Sequence, residues 1–289
     1  MKKLRFIISG LFFLWGIVCS AQELNVMSFN IRLNTPKDGE NAWTHRKESA
    51  AKCIAFHNVD IVGLQEAQHN QVSDLQTALP DYEIIGVGRA DGKTAGEYCA
   101  IAYRKSRFTV LESGTFWLSE NSEAIGKKGW DAACERIVTW AKMKDKITKR
   151  TFVFANTHFD HVGQVARRES SKLLMDKMKQ IADKLPLIVT GDFNARATDE
   201  AIQYLTDTAK PDKLVDSRTI AKIKYGPEWS YHGFNKLTIE QRKQAGIIDF
   251  IFLRGKIKAL RHGIIDGTGD GTTCLSDHHP AFCSLIIEK

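Results

Sequence analysis

Apolar positions along the chain fall into short runs that break into polar residues, which is the pattern of strands with buried faces. "LNVMSFNIR" (24–32) alternates like a strand, and "DIVGLQEA" (60–67) reads as a buried strand running into polar positions. "EYCAIAYR" (97–104), "RFTVLESGTFWL" (107–118) and "RIVTWAKMKD" (136–145) follow as successive strands. "KITKR" (146–150) is a basic hairpin turn ahead of "TFVFANTHF" (151–159). The spacing changes to that of a helix over "WTHRKESAAKCIAFHN" (43–58), and more clearly after Gly163. There Leu174, Met178, Ile181 and Leu185 share one face of a helix predicted over 164–185. "LPLIVTGDFN" (185–194) is a further strand, followed by a less regular middle and two late strands around 247–255 and 281–287. Strands interspersed with helices predict an α/β (α+β) fold of layered sheets covered by helices.

No internal repeat, low-complexity tract or long Pro/Gly/Ser linker interrupts the pattern, so one domain is expected over 22–289. The start of the chain reads differently. Lys2, Lys3 and Arg5 precede an apolar stretch from Phe6 to Val18, then Cys19, Ser20, Ala21 and Gln22. That is the build of a secretory signal peptide cleaved after Ala21, too short to span a membrane well. Val18 fits poorly before an acylated Cys19, so a lipid anchor is not expected. The expected protein is therefore exported, periplasmic or extracellular, with no transmembrane segment in its mature chain.

The leader holds three basic residues and no acid, so the formal charge of +7 becomes +4 after cleavage. That is weak evidence for a nucleic-acid partner, and no run of Lys/Arg interleaved with aromatics stands out. Cys53, Cys99, Cys134, Cys274 and Cys283 remain, odd in number and without a CxxC pair. Neither zinc nor a disulfide framework is indicated, although one isolated disulfide stays open.

The candidate chemistry lies where apolar runs end. Asn30 follows "LNVMSF", Glu66 follows "IVGLQ", His158 follows "FVFANT", and Asp192 and Asn194 follow "LIVTG". In an extended chain Asp192 and Asn194 share a face and aim at one point. Asp277 and His278 precede the last strand, and Asp249 reads as an acid inside "GIIDFIF". Polar residues commonly finish strands, but a buried carboxylate costs several kcal/mol unless paired or bound to a cation. Convergence of these ends would gather four carboxylates, which calls for Mg²⁺ or Mn²⁺ on oxygen ligands and suits a phosphoryl reaction.

The ordered set "SFNIR", "LQEA", "NTHFD", "GDFN", "IDFIF" and "SDHHP", across residues 28–280, resembles the endonuclease/exonuclease/phosphatase superfamily. The similarity lies nearest the nocturnin-type deadenylases and uncharacterised secreted bacterial members. It implies a four-layer sandwich of two packed, mainly antiparallel sheets flanked by helices, with one active site at the sheet edge. It also implies a role for each residue. Glu66 resembles the principal metal carboxylate, with Asn30 and Asp277 close to the same metal. Asp192 resembles the residue that orients or deprotonates the attacking water, and Asn194 the amide beside it. His278, fixed by Asp249, and His158 resemble the phosphate-contacting imidazoles. Glu97 resembles a carboxylate that pairs with His158, and Arg136 a phosphate-binding arginine. Asp160 and His161, just after His158, and His232 in "EWSYHGFN" are further candidates for substrate contact. "GVGRADG" (86–92) lacks the spacing of a nucleotide fingerprint, and "DGTGDG" (266–271) lacks the later acid of a calcium loop.

The expected protein is thus an exported, Mg²⁺- or Mn²⁺-dependent phosphoester hydrolase acting as a monomer on a small, glycan- or lipid-linked phosphoester. Nucleic acid is an allowed but unfavoured substrate. A 3'-5' exoribonuclease of the deadenylase type is the alternative within the same chemistry. A non-catalytic binding domain on the same fold is the alternative outside it, although the acids and histidines that such a domain would have lost are all present.

Overall fold

The computed structural model describes residues 22–267 and 274–288. The leader-like run 1–21 and most of the 266–271 turn lie outside them. In chain order the first half comprises β1 (Leu24–Asn30), α1 (Trp43–Phe56), β2 (Ile61–Ala67), α2 (His69–Ala78), β3 (Tyr82–Ile85), β4 (Tyr98–Arg104), β5 (Phe108–Trp117) and β6 (Ile137–Asp145). Then come β7 (Thr151–His158), α3 (Gln164–Ala182), β8 (Leu187–Asp192), α4 (Glu200–Thr206), β9 (Val215–Asp216), α5 (Ser217–Ile220) and β10 (Ile223–Tyr225). The last elements are α6 (Ile239–Ala245), β11 (Asp249–Arg254), β12 (Ile257–Ile264) and β13 (Ala281–Ile287).

The strands form a seven-stranded sheet, ordered β10-β12-β13-β1-β2-β4-β3, and a six-stranded sheet, ordered β5-β6-β7-β8-β11-β9. Most neighbours are antiparallel. Two parallel pairs, β1/β2 and β7/β8, sit at the centres of the two sheets. A parallel pair needs a crossover, and the sequence supplies helices α1 and α3 for these two. The sheets therefore pack face to face with helices outside, the expected four-layer sandwich.

Side-chain alternation sorts the layers. On β1, Val26 joins the core between the sheets and Met27 the core under α1. On β8, Ile188 faces the other sheet and Val189 faces α3, where Leu174, Met175 and Met178 cover it. The α3 face is one turn shorter than its sequence spacing predicts, because the helix ends at Ala182 and Leu185 lies beyond it.

The sheets approach most closely beneath the site. A Cβ on Gly63 would stand 2.1 Å from Thr190 Oγ1 and 2.5 Å from Asn156 Oδ1, so only glycine fits there. Around it Gln65 donates to Asn156 Oδ1 at 2.6 Å, and Asn156 donates to the carbonyls of Leu64 and Ala100. This buried polar knot joins the two sheets just behind the strand ends that carry the chemistry. Among the described residues the cysteines are all free, so the open question of a disulfide closes there.

Candidate active site

Strand register builds half of the site. In the six-stranded sheet His158 on β7 lies beside Asp192 on β8, and Asp192 lies opposite Asp249 on β11. Three functional groups thus stand in one row at one sheet edge. Asp249 begins its strand, which corrects its placement inside one and explains how its carboxylate reaches the edge.

The other half comes from kinked strand ends. Glu66 has a left-handed φ of 61° at a β-bulge, where the pairing of β2 with β4 shifts between Leu64 and Ala67. Bulges re-aim side chains, and non-glycine residues with this φ concentrate at functional sites. Arg32 (φ 56°) and Asn194 (φ 47°) share the strain, for one reason. Asn30 Oδ1 accepts the N–H of Arg32 at 3.0 Å, and Asp192 Oδ1 accepts the N–H of Asn194 at 2.9 Å. Each side chain turns its own chain back two residues later. Asp192 and Asn194 therefore converge through a turn, not along an extended strand.

The side chains meet closely. Asn30 Nδ2 donates to Glu66 Oε1 at 3.1 Å and to Asp192 Oδ2 at 2.9 Å. Its oxygen accepts the N–H of Arg32, so the amide holds two acids in place beside the expected metal site. His278 Nδ1 is 2.8 Å from Asp249 Oδ2, and its Nε2 is 3.7 Å from Asp192 Oδ2. His158 Nε2 lies 3.0 Å from Asn194 Nδ2 and 3.3 Å from Asp192 Oδ2. Asp192 thus sits between two imidazoles. Behind them Ser230 Oγ accepts the N–H groups of Ile248 and Asp249, and the Asp277 carbonyl accepts those of His232 and Gly233. These bonds stitch the 230–233 loop to the 277–279 loop and fix His278 against Asp249.

Electrostatics divide the two histidines. Burial opposes charge on His278, but the Asp249 and Asp192 carboxylates outweigh it and hold the imidazole well above its usual range. Burial, reinforced by Arg136 and Arg89, holds His158 well below it. Burial and then the charge of Asp249 raise Asp192 to about 7. Burial also raises Asp277, against the pull of His278.

Glu66, Asp192, Asn194, Asp277, His158 and His278 all open onto one cavity of about 350 Å³. Arg136, Glu97 and His161 line it too, together with Arg32, Arg89 and Tyr231. Three expectations are corrected here. Glu97 does not pair with His158: Arg89, across the closed 86–97 loop, grips both its oxygens at 2.8 Å. Asp160 does not reach the cavity, because the N–H groups of Ala133, Val162 and Gly163 occupy its carboxylate. His232 is 2% exposed and stacks on His279 at 4.1 Å, pinned by the N–H of Asn235. Its place is in the wall behind His278.

The acids fit a divalent cation. Arg32 lies 3.8 Å from Glu66 Oε2 and 3.9 Å from Asp277 Oδ2, so these two carboxylates already share one positive charge. Asp192, Asp249 and His278 form a buried cluster whose ligand atoms lie within 4.8 Å of one another, and Asp249 Oδ1 has no partner. Asp249 Oδ2 is paired with His278, whereas the carboxylates of Asp192, Glu66 and Asp277 all line the cavity and are the donors placed to hold the cation. Hard oxygen donors with excess negative charge suit a divalent cation.

The model of the Endonuclease/Exonuclease/phosphatase family matches residues 27–278, a span that holds every group just described. The chain belongs to that family. An endonuclease/exonuclease/phosphatase from Bacteroides vulgatus is 42% identical, covers 92% of this chain and 100% of its own, and superposes with a TM-score of 0.88. A mannosyl-6-phosphatase of Bacteroides thetaiotaomicron is 35% identical over 91% of this chain and 99% of its own, with a TM-score of 0.82. Nocturnin of Drosophila melanogaster is 27% identical over 62% of this chain and 30% of its own length. The chain spans less than half the length of the curated relatives it matches. With the family's fold and its buried acid-and-histidine cluster, the site is that of a metal-dependent phosphoester hydrolase.

Arg32, Arg89 and Tyr231 went unassigned in the sequence. Arg32 stood inside the "SFNIR" motif and Arg89 inside a glycine-bounded turn, where an arginine is ordinarily solvated. Only the folded loops bring either to the cavity.

Proposed function

We propose that this protein is an exported, Mg²⁺- or Mn²⁺-dependent hydrolase of small phosphoesters, with polynucleotides poor substrates. The observation that carries this reading is the convergence of the acids and both histidines on one cavity of about 350 Å³, within the size range of small-molecule sites. The relative at 35% identity is a mannosyl-6-phosphatase, which supports a sugar-linked phosphoester among the small ones. Among the described residues no helix is long and apolar enough to cross a membrane. Export rests on the leader-like run 1–21.

In this reading Glu66 and Asp277 hold the cation, with Asp192 beside them. A bound divalent cation neutralises phosphoryl charge and lowers the pKa of attached water. The remaining work falls to the chain's own groups. Asp192 Oδ2, steadied by Asn30, orients the attacking water and takes its proton. His278, charged and fixed by Asp249, donates from Nε2 to a phosphoryl oxygen as negative charge grows there. Asn194 Nδ2 donates to the Phe159 carbonyl and lies 3.0 Å from His158 Nε2, so it fixes His158, which stays neutral.

The test compares specific activity on single-stranded RNA and DNA with that on small phosphodiesters and sugar phosphates at physiological salt, with Mg²⁺ or Mn²⁺. Faster turnover of the small esters is expected. Rapid, processive loss of either polynucleotide would favour the exonuclease.

A further inference from the structure

One wall of the cavity takes no part in the proposed chemistry. Arg89 and Glu97 face each other there as a two-pronged pair, with 14% and 16% of their side chains exposed. Arg136, 4% exposed, stands near them; its Nη2 is 3.1 Å from His161 Nδ1, and its Nη1 has no partner. The wall is rigidly held. The N–H of Arg89 bonds the Glu97 carbonyl, and Trp117 Nε1 bonds the Arg89 carbonyl at 2.8 Å. Asp160 Oδ2 backs Arg136 Nε at 3.5 Å.

Each cation of this wall has an acid beside it, which decides what it can hold. A second phosphate or carboxylate would meet Glu97 as well as Arg89 and gain little. A lipid chain would have to desolvate charged groups without replacing their hydrogen bonds. A nucleobase would lie against an Arg89–Glu97 pair already bonded edge to edge, and the imidazoles beside it, His158 and His161, are engaged by Asn194 and Arg136. Adjacent hydroxyls match it well. A hydroxyl both donates and accepts, so neighbouring ones can bond a carboxylate oxygen and a guanidinium together.

We infer that this wall is a sugar subsite, in which the Arg89–Glu97 pair, with Arg136 and His161, reads neighbouring hydroxyls of the sugar that carries the scissile phosphate. It rests on the phosphoester reading above and narrows the substrate from glycan- or lipid-linked to sugar-borne. A site built to bond hydroxyls discriminates strongly against esters that lack them, because its polar groups are then left unpaired.

The experiment measures kcat/KM of the Mg²⁺-supplied enzyme on matched esters. Hexose 6-phosphate is set against n-hexyl phosphate, which shares a primary alkoxide leaving group, and a hexose p-nitrophenyl phosphodiester against ethyl p-nitrophenyl phosphate. Wild type, Glu97→Gln and Arg89→Lys are compared, with melting temperatures as a check on folding; both variants keep side-chain bulk, and lysine keeps the charge while losing the fork. Wild type should prefer the sugar ester. Each variant should lower that preference by about tenfold or more, mainly through KM, the worth of roughly one good hydrogen bond. A preference unchanged within threefold in both variants, including an equal loss on both esters, overturns the subsite. So does a wild type that cleaves the hydroxyl-free esters without preferring the sugar, an outcome that leaves the phosphoester reading standing. Failure on every small ester alongside degradation of RNA overturns both.

Discussion

Asp192 and Asp249 stand directly opposite each other across the antiparallel β8–β11 pair, two buried carboxylates in adjacent strands. Like charges so placed are unfavourable. His278 resolves the conflict by lying against Asp249 at 2.8 Å and near Asp192 at 3.7 Å. The acid pair thus makes the imidazolium, and the imidazolium makes the acid pair tolerable.

Replacing Asp249 by Asn keeps the shape and removes the charge that holds His278 protonated. Turnover of the best small ester should fall by on the order of 10² while the far-ultraviolet circular dichroism stays unchanged. Near-normal turnover in Asp249→Asn would show that the pair is structural only.

Gly63 has no room for a methyl group. Gly63→Ala should destabilise by about 1–3 kcal/mol, because its Cβ would press on two side chains of the buried knot. A thermal melt should show about 2–4 °C lost per kcal/mol. An unchanged melting temperature would mean that the sheets part easily at this point.

His262, remote from the site, is pushed by burial, and then by Arg218 and Lys224, from 6.5 down to about 3. The folded value lies below the unfolded one, so between them the unfolded chain binds the extra proton. The stability this group contributes is complete above about pH 6.5 and is lost as pH falls towards 3, at up to about 1.4 kcal/mol per pH unit. Urea midpoints at pH 7.5, 6 and 5 should fall in that order, and His262→Gln should flatten the trend. Equal slopes in the two proteins would refute it.

The central strands were legible because their apolar runs are buried on both sides, and α1 because its buried positions, Trp43, Arg46, Ala50 and Ile54, recur at helical spacing. The acids and histidines were legible because they stand where such runs end, or, for Asp249, Asp277 and His278, where they begin. Other elements were not. In α2 only Gln71 and Leu75 are buried, so no apolar stripe marks the helix. In β12 exposed Arg261 and a bulge between Ala259 and Arg261 break the alternation. The partner of Glu97 was not legible either. Arg89 precedes it by eight residues, and only the closed loop turns both side chains to the same side. His232 carries the same lesson in reverse, since an imidazole near aromatics in sequence packed on His279 instead of facing substrate.

The most direct test of the whole account is hydrolysis of a small phosphoester by wild type and Asp192→Asn, first in excess EDTA and then with Mg²⁺ or Mn²⁺ restored. Wild type should be inactive in chelator and recover with either metal, while Asp192→Asn should stay slower than wild type by on the order of 10² once metal is restored. Full wild-type activity in EDTA, or normal turnover by Asp192→Asn, would contradict it.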